Sequence, residues 1–91
     1  MTAPSYAMSW QLEGGTREAG RVEVTEHGVD FDSPRHAERI RFAELTEIRL
    51  AHGLLHLGRV AKPALIVASL DGPGALRELA DRLTVAAHLP G

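Results

Sequence analysis

The sequence predicts a mainly β fold, in which seven short antiparallel strands form a barrel or orthogonal sandwich that one C-terminal α-helix closes. Apolar and polar residues alternate in short runs between residues 8 and 70, the period of strands with one buried face. Turn-forming glycine, proline and aspartate residues separate these runs. After residue 72 the apolar period becomes that of an amphipathic helix. The 91 residues predict one domain, 1–91, with 1–7 as a flexible N-terminal segment.

The first four strands are expected at residues 8–13, 21–25, 29–32 and 39–42. Turn-rich segments at residues 14–20, 26–28 and 33–36 separate them. The alternation assigns one apolar face to each strand. The inward residues would then be Met8, Trp10, Leu12, Val22, Val24, Val29, Phe31, Ile40 and Phe42.

The next three strands are expected at residues 47–50, 55–57 and 65–70. Residues 43–45 interrupt the alternation, as happens where a strand bends. A helix over residues 42–57 is the alternative, because Leu45, Ile48 and His52 have helical spacing. Gly53 and the alternation on either side favour strands, with a turn at 52–53 and a loop at 58–63. The seventh strand is apolar on both faces, which predicts a central position or cover from the helix.

The C-terminal helix is expected over about residues 73–88. Pro73 suits its first turn, Asp71 or Gly72 can cap it, and His88 ends it before a proline and a glycine. Burial of three leucines would contribute roughly 5–9 kcal/mol at about 1.5–3 kcal/mol each. The helix should therefore cover the core of the strands. Its apolar stripe consists of Leu76, Leu79, Ala80, Leu83, Ala86 and Ala87.

Composition narrows the function classes. The chain has no cysteine, so disulfides, thiolate metal sites and cysteine nucleophiles are excluded. Neither a secretory signal nor an apolar run of membrane-spanning length is present, and we expect a soluble, cytoplasmic domain. Residues 1–34 carry two arginines and six acidic residues, whereas 35–62 carry six cations and three acidic residues. This asymmetry could guide a partner or a second copy, or it could reflect ion pairing between strands.

The sequence resembles a pleckstrin-homology-like (PH-like) domain of the minimal bacterial kind. The resemblance lies in the order of seven strands and one helix, and in the phrases at residues 22–31, 40–48 and 76–83. It implies a scaffold without chemistry of its own. It also implies a ligand site at the loops between strands one and two, three and four, and six and seven. On this chain those loops carry Arg17, Arg21, Arg35, His36, Arg59 and Lys62.

The chain departs from the phosphoinositide-binding members of that superfold. Glu13 stands where those members set a basic residue late in the first strand, and the second strand begins Arg21-Val22-Glu23. Glu18 and Glu38 lie beside the loop arginines, where a polyphosphate would need donors. The resemblance therefore favours protein contact over inositol-phosphate binding.

The residues that could carry chemistry form no catalytic or metal-binding pattern. His52 and His56 have the i, i+4 spacing of helical ligands, but on a hairpin they are a turn residue and an outer-face residue. Ser33 and Ser69 lie outside any nucleophile elbow, and residues 72–74 lack a phosphate-loop pattern. The carboxylate pairs Asp30/Asp32 and Glu44/Glu47 are typical of solvated faces. We expect no enzyme, no cofactor and no metal.

Nucleic-acid binding is not expected either, because the aromatic residues are too few to stack successive bases. Trp10 is expected in the core, although an exposed Trp10 would be a binding anchor. Arg39, Arg41 and Arg49 should form a ladder with Glu38 and Glu47 across the strands. The sequence thus predicts a non-catalytic module for protein–protein contact or self-association into a homo-oligomer. The alternative is binding of an anionic ligand or membrane surface at the basic loops.

Overall fold

The computed structural model describes residues 4–11 and 15–88, whose seven strands form two meanders, one of four strands and one of three. A 3₁₀-helix, Phe42–Glu44, lies between the fourth and fifth strands. The strands are β1 (Ser5–Gln11), β2 (Arg17–Val24), β3 (Gly28–Ser33), β4 (His36–Arg41), β5 (Leu45–Ala51), β6 (Leu54–Arg59) and β7 (Lys62–Ser69), and the helix is α1 (Pro73–Ala87).

All seven strands belong to one antiparallel sheet, in the order β4-β3-β2-β1-β7-β6-β5. The first strand lies in the middle, because β1 pairs with β2 on one side and with β7 on the other. The edges of the sheet are therefore β4 and β5, which the 3₁₀-helix joins. The extents of the molecule are 31 × 29 × 26 Å. The sheet curls around its own core, because Glu38 on β4 and Arg59 on β6 are 2.8 Å apart although five strand spacings of about 4.8 Å separate their strands in the sheet order.

The core fills the concave face of the sheet. Trp10 lies at its centre, fully buried, with its ring edge-on to Phe31 at a centroid distance of 5.1 Å. Trp10 is therefore a core residue and offers no exposed anchor. The other buried apolar residues are Tyr6, Met8, Val22, Val29, Ile40, Leu45, Leu55, Leu57, Leu65, Val67, Leu76, Leu79, Ala80 and Leu83.

Helix α1 covers this core with the leucine stripe that the sequence predicts. Leu76, Leu79, Ala80 and Leu83 are buried, and the helix packs on β5, β6, β7 and the 3₁₀-helix. Gly72 precedes the helix with a φ of 133°, and Pro73 occupies its first turn. At the other end the backbone N–H of His88, in the left-handed conformation, donates to the carbonyl of Thr84. Both predicted helix limits are confirmed within one residue.

The predicted fold class, mainly β with one C-terminal helix, is confirmed. The central position predicted for the seventh strand is also confirmed, because β7 lies between β1 and β6. The helical alternative for residues 42–57 is wrong: only Phe42–Glu44 is helical, and it forms the interruption between β4 and β5. No helix among the described residues is long and apolar enough to cross a membrane.

Four strands begin three or four residues earlier than predicted, and one of them is β4, which begins at His36, a residue expected in the preceding turn. Residues 5–7, expected in a flexible N-terminal segment, belong to β1 and pair with residues 21–23 of β2. Residues 17–20, expected in a loop, begin β2, and Lys62 and Pro63, also expected in a loop, begin β7. These segments have no apolar alternation, so pairing with a neighbouring strand determines their conformation. The predicted end of the first strand, at Glu13, lies outside the described residues.

Candidate functional site

A group of polar side chains closes the end of the sheet that lies away from the start of α1. We call it the polar cluster: Glu18, Ser33, Arg35, His36, Glu38, Arg59 and Lys62. Glu18 shares the inward-facing parity of Val22 on β2, and Glu38 shares that of Ile40 on β4. The cluster therefore continues the inner face of the sheet where the apolar core ends.

Glu38 is the centre of the cluster. Its Oε2 accepts a hydrogen bond from Nη1 of Arg59 at 2.8 Å and lies 3.6 Å from Nζ of Lys62. Its Oε1 lies 3.3 Å from Nε2 of His36. Arg59 also donates from Nε to the carbonyl of Pro63 at 2.9 Å, and its side chain is only 8% exposed. Three cationic or ionisable side chains thus surround one carboxylate, and this contact ties β4 to the β6–β7 hairpin.

Glu18 forms the second half of the cluster. It is buried, although it belongs to a residue type that is almost never buried without a partner. Its Oε1 accepts a hydrogen bond from the hydroxyl of Ser33 at 2.7 Å, and its Oε2 lies 3.4 Å from Nη2 of Arg35. The Arg35 side chain is 82% exposed, so it covers the carboxylate from the solvent side. This contact ties the start of β2 to the β3–β4 turn.

The structure brings together four of the six predicted site residues: Arg35, His36, Arg59 and Lys62. Each has Glu18 or Glu38 as its partner, so their charges are largely balanced within the cluster. The other two lie on the outer face of β2: Arg17 donates to Oγ of Ser9 at 3.1 Å and Arg21 to Oγ of Ser5 at 3.0 Å. The six residues do not form one basic site. The two glutamates that organise the cluster were not among the predicted site residues.

The ladder predicted for Arg39, Arg41 and Arg49 with Glu38 and Glu47 is wrong, and the cross-strand ion pair on the outer face is instead between β3 and β4. Arg39 pairs with Asp30 through contacts of 2.7 and 3.2 Å, whereas Glu38 points to the other face. The hydrogen bond to Asp30, with its charge, raises the pKa of Arg39. Arg49 lies 3.5 Å from Glu47 of the same strand, so this contact runs along β5 and not across strands as predicted. These charges therefore pair across or along the strands.

A row of uncharged, mostly small side chains crosses the outer face of five strands. Ser9 of β1 pairs with Ala19 of β2 and with Ala68 of β7, and Leu54 of β6 pairs with Ala51 of β5. The pair Leu55–Val67 sets Leu54 beside Ala68, which makes the row continuous. We call these five residues the alanine row. Ala64 and Ile66 of β7 extend it, with Ala64 exposed and Ile66 half-buried.

The remaining candidate residues have structural roles. His52 lies in the β5–β6 turn with φ of 55°, and His56 pairs with Arg49 on the outer face, as expected. No group of three potential metal ligands with suitable geometry occurs in residues 4–11 and 15–88. The hydroxyl of Ser69 accepts hydrogen bonds from the backbone N–H groups of Asp71 and Gly72. These bonds stabilise the turn before α1.

Comparison with known proteins supports the fold alone. The chain is similar in structure to a crystal structure of the C-terminal domain of an unknown protein from Leishmania infantum, with a TM-score of 0.69 and 16% sequence identity. The match covers 91% of this chain and 84% of that one. No protein-family model and no curated protein matches the sequence.

Proposed function

We propose that this chain is a non-catalytic protein-interaction domain that binds a folded partner on the alanine row. The observation that carries the proposal is the row itself: five adjacent strands present Ala19, Ser9, Ala68, Leu54 and Ala51 outward without a charge among them. The face of an antiparallel sheet that is turned to solvent ordinarily carries polar residues. The apolar outer face of β7 suits contact with another protein surface.

The shape of the row supports a broad, flat contact. Alanine side chains are short, so another sheet or a helix can approach the backbone closely at Ala19, Ala68 and Ala51. Ser9, by contrast, is buried and already accepts a hydrogen bond from Arg17. Small residues also lose little side-chain entropy when they are covered. Arg17 and Arg49 stand at the two ends of the adjacent row, which Gln11, Ile66 and His56 complete. Such polar margins around an apolar centre are typical of protein interfaces.

The geometry of the polar cluster argues against the alternative, an anionic ligand at the basic loops. Arg59 is committed to Glu38 and to the carbonyl of Pro63. Among the cluster cations, Arg35 at 82% and Lys62 at 63% exposure face solvent, and each lies beside a carboxylate. A phosphate headgroup would have to displace glutamates that already hold these donors.

The first test is retention of partners by immobilised protein from a cell extract. Ala68→Arg places a long charged side chain in the middle of the row, and we expect it to abolish retention of proteins that the wild type retains. Val85→Arg is the matched control, because Val85 lies on α1 and is 76% exposed. Proteins retained equally by the wild type and by both variants would contradict the proposed surface.

The second test addresses the alternative directly. In co-sedimentation with vesicles of anionic or neutral lipid, we expect the wild type to bind both equally weakly. The reason is that Glu18 and Glu38 already pair with the cations of the polar cluster and neutralise two of its three permanent positive charges. Sedimentation with the anionic vesicles alone, lost in a Lys62→Glu variant, would support headgroup binding and contradict this expectation.

A further inference from the structure

The fifth strand leaves one side of its backbone open. It is an edge of the sheet, paired with β6 alone among the described strands. It is also highly exposed: Thr46, Glu47, Arg49 and Leu50 all face solvent to more than a third of their area. An open edge is a template on which another strand can add.

The register of the hairpin identifies which backbone groups are open. The two-residue turn His52–Gly53 joins Ala51 to Leu54, and such a turn makes that closing pair a hydrogen-bonded one. Alternation then turns the backbone of Arg49 toward β6 and the backbone of Ile48 and Leu50 toward the open edge. Outside the β5–β6 ladder, no hydrogen bond within the described residues uses the backbone of Ile48 or Leu50.

We propose that β5 pairs antiparallel with β5 of a second copy of this chain. The two-fold axis of this dimer passes midway between the two Ile48 residues. This inference rests on the proposal that the domain acts through protein contacts, and it names one contact and its occupant. In this register Ile48 faces the partner's Ile48, with the open backbone groups of both strands directed at each other. Glu47 then lies opposite the partner's Arg49, and Arg49 lies opposite the partner's Glu47.

Charge selects this register over its neighbours. Glu47 and Arg49 lie on the same outer face, 3.5 Å apart, and their side chains are 60% and 61% exposed. Centring the pairing on Arg49 instead would set two arginines opposite each other, as would parallel pairing in register. Opposite charges directly across a strand pair stabilise it, and like charges destabilise it. Charged residues usually protect an edge strand from pairing, but this arrangement makes them complementary in one orientation.

The inner-face side chains support the same pairing. Ile48 is half-buried and Leu50 is exposed, although their pairs on β6 are the fully buried Leu57 and Leu55. A neighbouring strand would cover both. The register shift between Leu45 and Glu47 limits how far a regular ladder can extend. The contact is therefore short, and we expect a weak dimer that depends on protein concentration.

The test is sedimentation equilibrium over a range of protein concentrations. We expect the average mass of the wild type to rise toward that of a dimer. Glu47→Arg and Arg49→Glu each set like charges across both symmetric pairs, and each should weaken dimerisation at least about tenfold. The double variant Glu47→Arg/Arg49→Glu should restore the wild-type affinity, and a mixture of the two single variants should associate more tightly than either alone.

Asp81→Arg and Arg77→Glu are the matched controls, because they make the same charge changes at exposed positions on α1. Both should dimerise like the wild type. A wild type that stays monomeric at the highest concentration, or a dimer that neither single variant weakens, would overturn pairing through β5. Ala68→Arg separates the two proposals: it should leave the dimer intact while abolishing partner retention. Loss of the β5 dimer alone would leave the alanine-row proposal standing.

Discussion

Two aromatic residues bury polar atoms without a hydrogen-bond partner among the described residues: Oη of Tyr6 and Nε1 of Trp10. Tyr6 lies at the β1 end of the core, where α1 covers it. Its burial, and after that the nearby Glu78 carboxylate, raise the pKa of Tyr6, while Arg82 lowers it. Glu78 approaches the hydroxyl without reaching hydrogen-bond geometry. Removing a buried hydroxyl that has no partner should therefore cost nothing in lost hydrogen bonds.

We expect Tyr6→Phe to raise the free energy of unfolding by about 1 kcal/mol at neutral pH. It should also change the alkaline limb of stability. The pKa of Tyr6 is higher in the folded chain than the ordinary value of 10.0. The contribution of the neutral phenol to the free energy of unfolding is therefore complete below about pH 10 and is lost as the pH rises through the folded pKa. The variant should lose less stability than the wild type above about pH 10.

Denaturant unfolding from about pH 8 to about pH 11 measures this difference. Titration of phenolate absorbance gives an independent reading, because Tyr6 is the only tyrosine in the chain. A phenolate that titrates at the ordinary value in the folded protein would contradict the expected direction. So would parallel alkaline stability curves for the variant and the wild type.

At the residue scale, the sequence carried a signal for the polar cluster. Glu18 has the same parity as Val22, Glu38 the same as Ile40, and Arg59 the same as Leu57. Extending the alternation by two steps from Val22, and by one step from Ile40 and from Leu57, would have placed all three side chains on the inner face. The strands were not predicted to extend into residues 14–20 and 58–63, because these segments are rich in glycine and charged residues, which are weak strand formers. The pairing between Glu38 and Arg59 depends on the curl of the sheet, which no local pattern encodes.

At the scale of single elements, α1 follows most directly from the sequence. Its leucine stripe, its N-terminal proline and its end at His88 are local features, and local features are what periodicity and capping rules describe. The strands follow less completely, since β2 and β7 begin several residues earlier than their apolar alternation does. In these segments, backbone pairing with the neighbouring strand determines the extended conformation, because the side-chain pattern does not.

We expect Leu83→Ala to lower the free energy of unfolding by about 2–5 kcal/mol, because its side chain is fully buried between α1 and the sheet. Val85→Ala, two residues further along the same helix, is the control. Val85 is 76% exposed, so its truncation should change stability by less than about 0.5 kcal/mol. Urea midpoints for the two variants measure the difference, and equal midpoints would show that Leu83 is not part of the core.

At the scale of the whole molecule, the sheet has two edges, β4 and β5, that no strand pairing among the described residues joins. The contact of Glu38 with Arg59 links β4 to β6 across this gap, with Lys62 and His36 on the same carboxylate. Both partners are largely shielded from solvent, so the pair is less screened than a surface ion pair. We infer that this contact, together with the 3₁₀-helix, holds the curled sheet closed.

A double-mutant cycle tests this role. Glu38→Ala and Arg59→Ala should each lower the free energy of unfolding by about 1–3 kcal/mol, since each removes the 2.8 Å contact and leaves the other, largely buried group with fewer partners. The double variant should cost less than the sum, with a coupling of about 0.5–3 kcal/mol. The control cycle uses the exposed helical pair Glu78 and Arg82, whose coupling should stay below about 0.5 kcal/mol. Purely additive effects of the two substitutions would show that the contact between Glu38 and Arg59 does not hold the sheet closed.

The position of β1 in the middle of the sheet has a consequence for synthesis of the protein. Residues 8–11 lie beside residues 66–69, so the first strand of this domain to leave the ribosome waits for its last strand before both of its sides are paired. Until then the nascent hairpins of β1–β4 expose the side of β1 that β7 will occupy. Contacts so distant in the chain make folding slow. Synthesis must therefore have passed β7 before the domain can complete its core and cover this side of β1.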